Sequence, residues 1–332
     1  MPNLLKNFNL PLVNAHCHAA MIAFRGLAED KPLKEWLEKY IWPLEKKTVN
    51  KKMVKNQTKR AIKEMKKNKI AFFADMYFFE DQVAEAAIEE NMPVLIGEGL
   101  LDFPTPSYKN FNQGLLITEK LLKKYKSHPL IKVSVAPHSI YTVSSKHLIE
   151  AKKLAKKYNA IYHLHCAETK QEFEYSLKKY RKTPVQYLEK LGVLDEKTLL
   201  AHCVWLTPKD IKILSKRKVS VVHCPLSNSK LGSGIAPIPD LLKNNVLVCM
   251  GTDGPASSNR LDIWEAGKYA SLLQKAINLD ATVMPAKQVI KMLSVNGMKA
   301  LGLKALNGKN IKQWEEEIEK NDYSFLYSLN FS

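Results

Sequence analysis

Pro11-Leu12-Val13-Asn14-Ala15-His16-Cys17-His18 is an apolar run that ends in two histidines one residue apart. Strand side chains alternate with period two, so a strand through Pro11–Ala15 carries both imidazoles out on one face at its end. Imidazole is a good ligand for a divalent metal, yet a lone His-x-His is weak evidence for one. Its weight comes from what the rest of the chain repeats.

Seven further short apolar runs follow: Ile70–Ala74, Pro93–Ile96, Ile131–Ala136, Ala160–Leu164, Thr198–Ala201, Val219–Val222 and Val246–Met250. Nearly continuous apolar strands belong to parallel sheets covered on both faces. Between them lie stretches with helical apolar spacing and Lys or Glu opposite, such as Lys51–Lys67, Gln82–Glu90, Ser144–Tyr158, Pro208–Lys216 and Asp262–Ala276. Eight strands alternating with helices predict an α/β chain folded as a closed (β/α)8 TIM-type barrel, which takes about 250 residues. A doubly wound open sheet uses the same alternation. No Gly-rich phosphate fingerprint follows the first strand, which weighs against it.

Ionisable residues fall at the end of every predicted strand. His16 and His18 end the first, Asp75 the second and Glu98 the third. His138 follows the fourth, His165 and Glu168 the fifth, His202 the sixth, His223 the seventh and Asp253 the eighth. The C-terminal ends of barrel strands are where active sites are assembled from several strands at once. A single buried histidine is readily explained by packing; a ring of them is not.

The chain has 332 residues, enough for one large barrel and little else. No run approaches the ~20 apolar residues of a membrane span, and Met1–Lys6 lacks the apolar core of a secretory signal. The five cysteines lie in or beside predicted strands with no Cys-x-x-Cys pair, which predicts reduced, packed thiols and a cytoplasmic protein. The formal charge of +18 comes mostly from lysine, in pairs such as Lys66-Lys67 and Lys152-Lys153. Arginines are few, at 25, 60, 181, 217 and 260. Base readout and phosphate clamping favour arginine, so the reading is a solvated surface and not a nucleic-acid partner.

Four of His16, His18, His165, Glu168, His202 and Asp253 suit one divalent ion, Zn2+ by default with Fe2+ as the alternative. With His16, His18, His165 and Asp253 as ligands, Glu168 is placed three residues beyond a ligand to shuttle protons. Asp253 doubles as first proton acceptor, and His202 orients the nucleophile or stabilises charge. The chemistry is hydrolysis at an sp2 carbon: an amide, an ester-like bond, or an amidine carbon bearing NH2. Residue types alone do not choose among these. His163 reads as support or barrel filling, His128 and His147 as surface groups, and His223 as support. Trp36, Tyr40 and Trp42 read as core or as a cover over the barrel mouth.

These residues sit in longer motifs: Asn14–Met21, Phe24–Asp30, Trp42-Pro43-Leu44-Glu45, Asp75–Phe78, Ala136–Ser139, His163–Thr169, Ala201–Cys203, His223–Leu231 and Gly251–Asn259. In this order, over about residues 12–303, they resemble the amidohydrolase superfamily, and within it the aminohydrolase branch of 5′-methylthioadenosine/S-adenosylhomocysteine deaminases. The resemblance implies a metal held by His16, His18, His165 and Asp253, a shuttling carboxylate at Glu168 and an orienting histidine at His202. It implies nucleoside contacts at Glu45 and His138, attack at C6 of adenine, and release of ammonia with the inosine analogue. Related rings (guanine, cytosine or triazine type) and an inactive metal-binding barrel are the alternatives.

Two departures from the branch carry expectations. Members usually hold a small β-sandwich on flanks that are both short here, which predicts residues 1–10 as a remnant, 11–305 as the barrel and 306–332 as a helix and strand-like tail. In that tail Tyr323, Phe325, Tyr327, Leu329 and Phe331 alternate with other residues, as a face that packs on Leu4, Leu5 and Phe8 or across a homo-oligomer. Second, members that favour S-adenosylhomocysteine place arginines after strand three. Here Gly97-Glu98-Gly99 and Asp102–Tyr108 hold none, so a substrate carboxylate would face Glu98 and Asp102 unless Lys109 or another lysine answers it.

Overall fold

The computed structural model of the protein describes residues 9–328. Eight parallel strands run in chain order: β1 Leu12–Cys17, β2 Ile70–Asp75, β3 Val94–Ile96, β4 Ile131–Val133, β5 Tyr162–Cys166, β6 Thr198–His202, β7 Ser220–His223 and β8 Leu247–Met250. β1–β4 form one hydrogen-bonded set and β5–β8 another. Both seams are stitched. Val135 bridges Tyr162 in parallel, with the His163 N–H on the Val135 carbonyl at 3.0 Å. The Asp253 N–H donates to the His16 carbonyl, also at 3.0 Å. The sheet closes, as the apolar runs predict.

That second seam is tight. A Cβ on Gly251 would lie 2.9 Å from the His16 carbonyl oxygen and 2.8 Å from a Val222 methyl, so only glycine lets β8 reach β1 there. The registers level the strand ends. Cys17 lies opposite Asp75, Cys166 opposite His202, and Met250 opposite His223. Residues just beyond these positions therefore share one rim. β3 and β4 each pause and resume as Gly99–Leu100 and Ala136–Pro137, which pair with each other and carry that rim outward.

Helices cover the strands because one stripe of each is apolar. Lys51–Lys67 buries Val54, Ala61, Ile62 and Met65 at helical spacing and starts on Asn50, whose side chain accepts from the Met53 N–H. Two segments were not legible as such: a 3-10 turn at Ala19–Phe24 and a π-helix at Trp36–Ile41. All five cysteines are buried free thiols. No helix among the described residues is long and apolar enough to cross a membrane.

Among the described residues, the strands outside the barrel are the two-residue pair Ala305–Leu306 and Lys309–Asn310. Helix Ile311–Lys320 follows, but residues 324–328 are not extended. Ser324–Ser328 is a 3-10 helix, so burial follows i, i+3: Tyr323 is 4% exposed and Leu326 0%. Leu326, on the opposite face in a strand reading, is the anchor. The Phe325 ring lies 6.0 Å from that of Trp264, and the Tyr327 hydroxyl meets Ser271, so residues 323–328 pack on helix Ile263–Asn278. Leu4, Leu5, Phe8, Leu329 and Phe331 lie outside the described residues. Leu326→Ala is expected to cost about 2–5 kcal/mol, as for a buried leucine that leaves a cavity. Deleting 322–332 should likewise lower the melting temperature or shift the elution volume. No change in either would contradict this packing.

Candidate active site

On the rim formed by the strand ends, three histidines point one ring nitrogen at a common spot because the other is already engaged. His18 donates Nδ1–H to the Met76 carbonyl, and His165 donates Nδ1–H to the His138 carbonyl at 2.9 Å. His16 Nδ1 pairs with His163 Nε2 at 3.0 Å. Carbonyl partners accept only, which fixes the tautomer and leaves Nε2 free as a ligand atom. His163, read as support, thus orients a candidate ligand.

Asp253 completes the set. Its Oδ2 accepts from the hydroxyls of Ser227 (2.5 Å) and Ser257 (2.8 Å). Its Oδ1 then lies 3.1 Å from His18 Nε2 and 3.5 Å from His16 Nε2. His18 Nε2 is 3.4 Å from His165 Nε2. One donor atom each from His16, His165, His202 and Asp253 also fall within 4.8 Å of one another. Five side chains therefore converge where four suffice. His202 is set apart by its partners: Asn228 Oδ1 holds its Nδ1 at 2.8 Å, and its Nε2 faces Glu168 Oε2 at 3.8 Å.

The donor set fits a single divalent ion, and zinc by its chemistry. His16 Nε2 is buried and has no hydrogen-bond partner, an arrangement that costs free energy unless a ligand answers it. Burial holds His16 down at about 4 and His165 well below the usual imidazole range, keeping both in the neutral form that binds metal. Burial opposes charge on His18 too, yet Asp253 raises it to about 9. Burial opposes charge on Asp253, but His16 and His18 hold its carboxyl well below the ordinary range. The cluster thus draws in positive charge.

Backbone strain gathers at the same rim. Ala167, His202, Cys203 and Asp253 have φ of +53, +75, +49 and +61°, a region that is unfavourable for residues with a side chain. Glu168 follows strained Ala167 and precedes Thr169, whose hydroxyl caps helix Lys170–Tyr180 by accepting from the Glu172 N–H. The Glu172 carboxylate returns to accept the N–H groups of Ala167 (3.0 Å) and Glu168 (2.8 Å). That clamp aims Glu168 across the site. Burial pushes its carboxyl up, while His202 pulls the other way.

The site opens into a cavity of about 90 Å3. Glu45, His138, Glu168, His202 and Asp253 line it, with Met21, Trp36, Leu37, Trp42, Phe78 and Leu101 as apolar wall. Trp36 and Trp42 are therefore the cover and not only core. Glu45, on helix Trp42–Thr48, accepts from the Tyr77 hydroxyl at 2.7 Å, and burial raises its carboxyl to about 7. His138 Nδ1 meets the hydroxyls of Ser139 and Thr142.

Two expectations about charge are corrected. Glu98 does not face the cavity: it is buried, accepting from the N–H groups of Phe79 and Glu80 and from the Ser107 hydroxyl. Asp102 is turned to the Ser144 N–H and to His147. Among the described residues no lysine or arginine lines the cavity, but Lys34 and Lys178 line an adjoining cleft together with Glu38 and Glu174. His223 is buried with both ring nitrogens unpartnered, and His147 stacks flat on Phe111.

The comparisons agree with this geometry. A deaminase of 5-methylthioadenosine and S-adenosylhomocysteine, so named, from Thermodesulfovibrio yellowstonii is 44% identical over 291 residues, 88% of this chain and 66% of that protein. A 5′-deoxyadenosine deaminase from Methanothrix thermoacetophila is 40% identical over 292 residues, 88% of this chain and 69% of that protein. The chain thus spans about two thirds of the length of these curated relatives. The crystal structure of an adenosine deaminase from Xanthomonas campestris with bound zinc superposes with a TM-score of 0.88 at 34% identity, covering 91% of this chain and 69% of that one. With the amidohydrolase family model matching residues 11–309, and the barrel and its cluster of histidines and Asp253 described, the chain belongs to the amidohydrolase family.

Proposed function

We propose that this protein is a metal-dependent hydrolytic deaminase of adenine nucleosides, giving the inosine analogue and ammonia. The observation that supports it best is the pair Glu168 and His202, facing each other beside the ligand cluster at the floor of a largely apolar cavity. A protein that merely bound metal would have no use for them. The names of the relatives support the substrate class.

An ion held by His16, His18, His165 and Asp253 supplies Lewis acidity that makes a water nucleophilic near neutral pH. The chain does the rest. Asp253 Oδ1 accepts the proton released on attack at C6. Glu168, kept able to hold a proton by burial, gives its proton to the ring nitrogen N1. The proton held by Asp253 then passes to the departing amine, the C6–N bond breaks, and the hydroxyl left on C6 returns its proton to Glu168 as the carbonyl forms and ammonia leaves. His202, its ring fixed by Asn228, faces the charge that develops at the attacked carbon. Glu45 accepts the ribose hydroxyls, with Tyr77 holding its other side, and His138 contacts the nucleoside.

The cavity wall favours an uncharged 5′ group. A carboxylate on the 5′ group finds no lysine or arginine among the described residues that line the cavity, and a missing desolvated pair costs about 2–5 kcal/mol. 5′-Methylthioadenosine, 5′-deoxyadenosine or adenosine should exceed S-adenosylhomocysteine by at least about tenfold in kcat/KM, a cautious fraction of that free energy. Side-by-side turnover checks it. Equal or better use of S-adenosylhomocysteine, lost again in Lys34→Ala or Lys178→Ala, would instead assign the adjoining cleft to the amino-acid moiety.

A further inference from the structure

Behind the metal site, on the far side of β1 and β2, lie three buried carboxyl groups that the reaction does not use: Asp75, Glu80 and Glu98. Each is 0% exposed. Asp75 Oδ1 accepts from the Ala19 N–H at 2.6 Å and from the Cys17 thiol at 3.4 Å. Glu80, the first residue of helix Glu80–Glu89, turns back so that Oε2 accepts from the Gly97 N–H at 3.1 Å. One oxygen of each remains, Asp75 Oδ2 and Glu80 Oε1. Neither has a donor. Gly97, whose N–H holds Glu80, also lies against Asp75, whose carbonyl oxygen would be 3.4 Å from a Cβ at that position, and each carboxyl group acts on the other as a hydrogen-bond partner.

Two neighbouring carboxylates cannot both be ionised in a dry site. A buried acceptor without a donor is also costly, whereas a carboxylic acid is itself a donor. We infer that Asp75 and Glu80 share one proton, carried by Glu80 and donated to Asp75, and that Glu80 is thereby a positioning residue for the metal site. Two neighbours decide which partner keeps the proton. Glu98 accepts from the backbone N–H of Glu80 at 3.0 Å and so sets a like charge beside Glu80. Asp75 holds the backbone N–H of Ala19, which favours its anion. Burial also pushes Glu80 well above the usual carboxyl range, with Asp75 adding to it.

The consequence reaches the ligands through the backbone. Asp75 ties down the residues on either side of His18, Cys17 by its thiol and Ala19 by its N–H. Met76, next to Asp75, takes the His18 Nδ1–H on its carbonyl and donates its own N–H to the Cys17 carbonyl at 3.0 Å. A singly charged, fully bonded Asp75 keeps this exchange in place. Doubly charged, the pair would push β2's end from helix Glu80–Glu89 and loosen His18.

The inference rests on the metal-site reading but not on the identity of the substrate, so its test reads zinc. In chelator competition on the full chain, Glu80→Gln should bind zinc as the wild type does, because an amide both donates to Asp75 and accepts from Gly97. Glu80→Leu, which does neither, should bind zinc about 10–100-fold more weakly, the usual loss when an outer partner of a metal ligand is removed. A Glu80→Leu chain that does not fold, beside a Glu80→Gln chain with wild-type zinc affinity, carries the same meaning. Zinc binding in Glu80→Gln as weak as in Glu80→Leu, or wild-type affinity in Glu80→Leu, would overturn the inference. Absence of deaminase activity in the wild type would leave each of these results readable.

Discussion

Glu168→Gln is expected to lower kcat/KM for an adenine nucleoside by about 10²–10⁴-fold while zinc stays bound at the wild-type level, since a positioned proton carrier contributes on that scale. The substitution is nearly isosteric. Glu172 continues to accept the backbone N–H of residue 168, so the side chain keeps its direction. What is lost is the proton, because an amide neither gives one to the ring nor takes one back from the C6 hydroxyl at neutral pH. The ligand atoms of His16, His18, His165 and Asp253 are untouched, so metal analysis and melting temperature should match the wild type. Wild-type turnover in Glu168→Gln would remove this residue from the mechanism.

Asp253→Ala and His165→Ala should fail differently, losing ion and activity together. Asp253 brings the negative charge that balances the cation, and its loss leaves His16 and His18 without the carboxylate that both face. Activity should fall by at least about 10⁴-fold, since water without the ion returns from a pKa near ~7 to ~15.7. Stability supplies a second readout. A ligand present at 100 times its Kd stabilises the folded state by about 2.7 kcal/mol. Chelator should therefore lower the wild-type melting temperature and leave that of Asp253→Ala unchanged. An Asp253→Ala chain that retains a full equivalent of zinc would contradict the ligand assignment.

The contrast between these variants rests on a distinction that was partly legible in the sequence. All eight strands and the rim on which the histidines sit follow from apolar runs and period two, and the ends shift by at most three residues. The residues that aim the site were not legible. The Met76 and His138 carbonyls are backbone atoms with no sequence signal, and Asn228, Ser227 and Glu172 reach their targets only once the strand ends are level. Tyr77 could have been suspected, being two residues beyond Asp75 on the same rim. The tail was misread for a physical reason. Aromatic residues at alternate positions mimic a strand, but residues 324–328 coil and bury Tyr323 and Leu326 on one side. Charge after β3 misled in the same way, because Glu98 serves the backbone of the next helix and not the cavity.

The most direct test is ammonia release from 5′-methylthioadenosine and adenosine, with metal content measured on the same preparation before and after chelation. One divalent ion per chain, ammonia and the inosine analogue formed in equal amounts, loss of both on chelation and recovery with zinc are the predicted results. No ammonia from any adenine nucleoside by the zinc-loaded protein, or full activity after the ion is removed, would contradict the account.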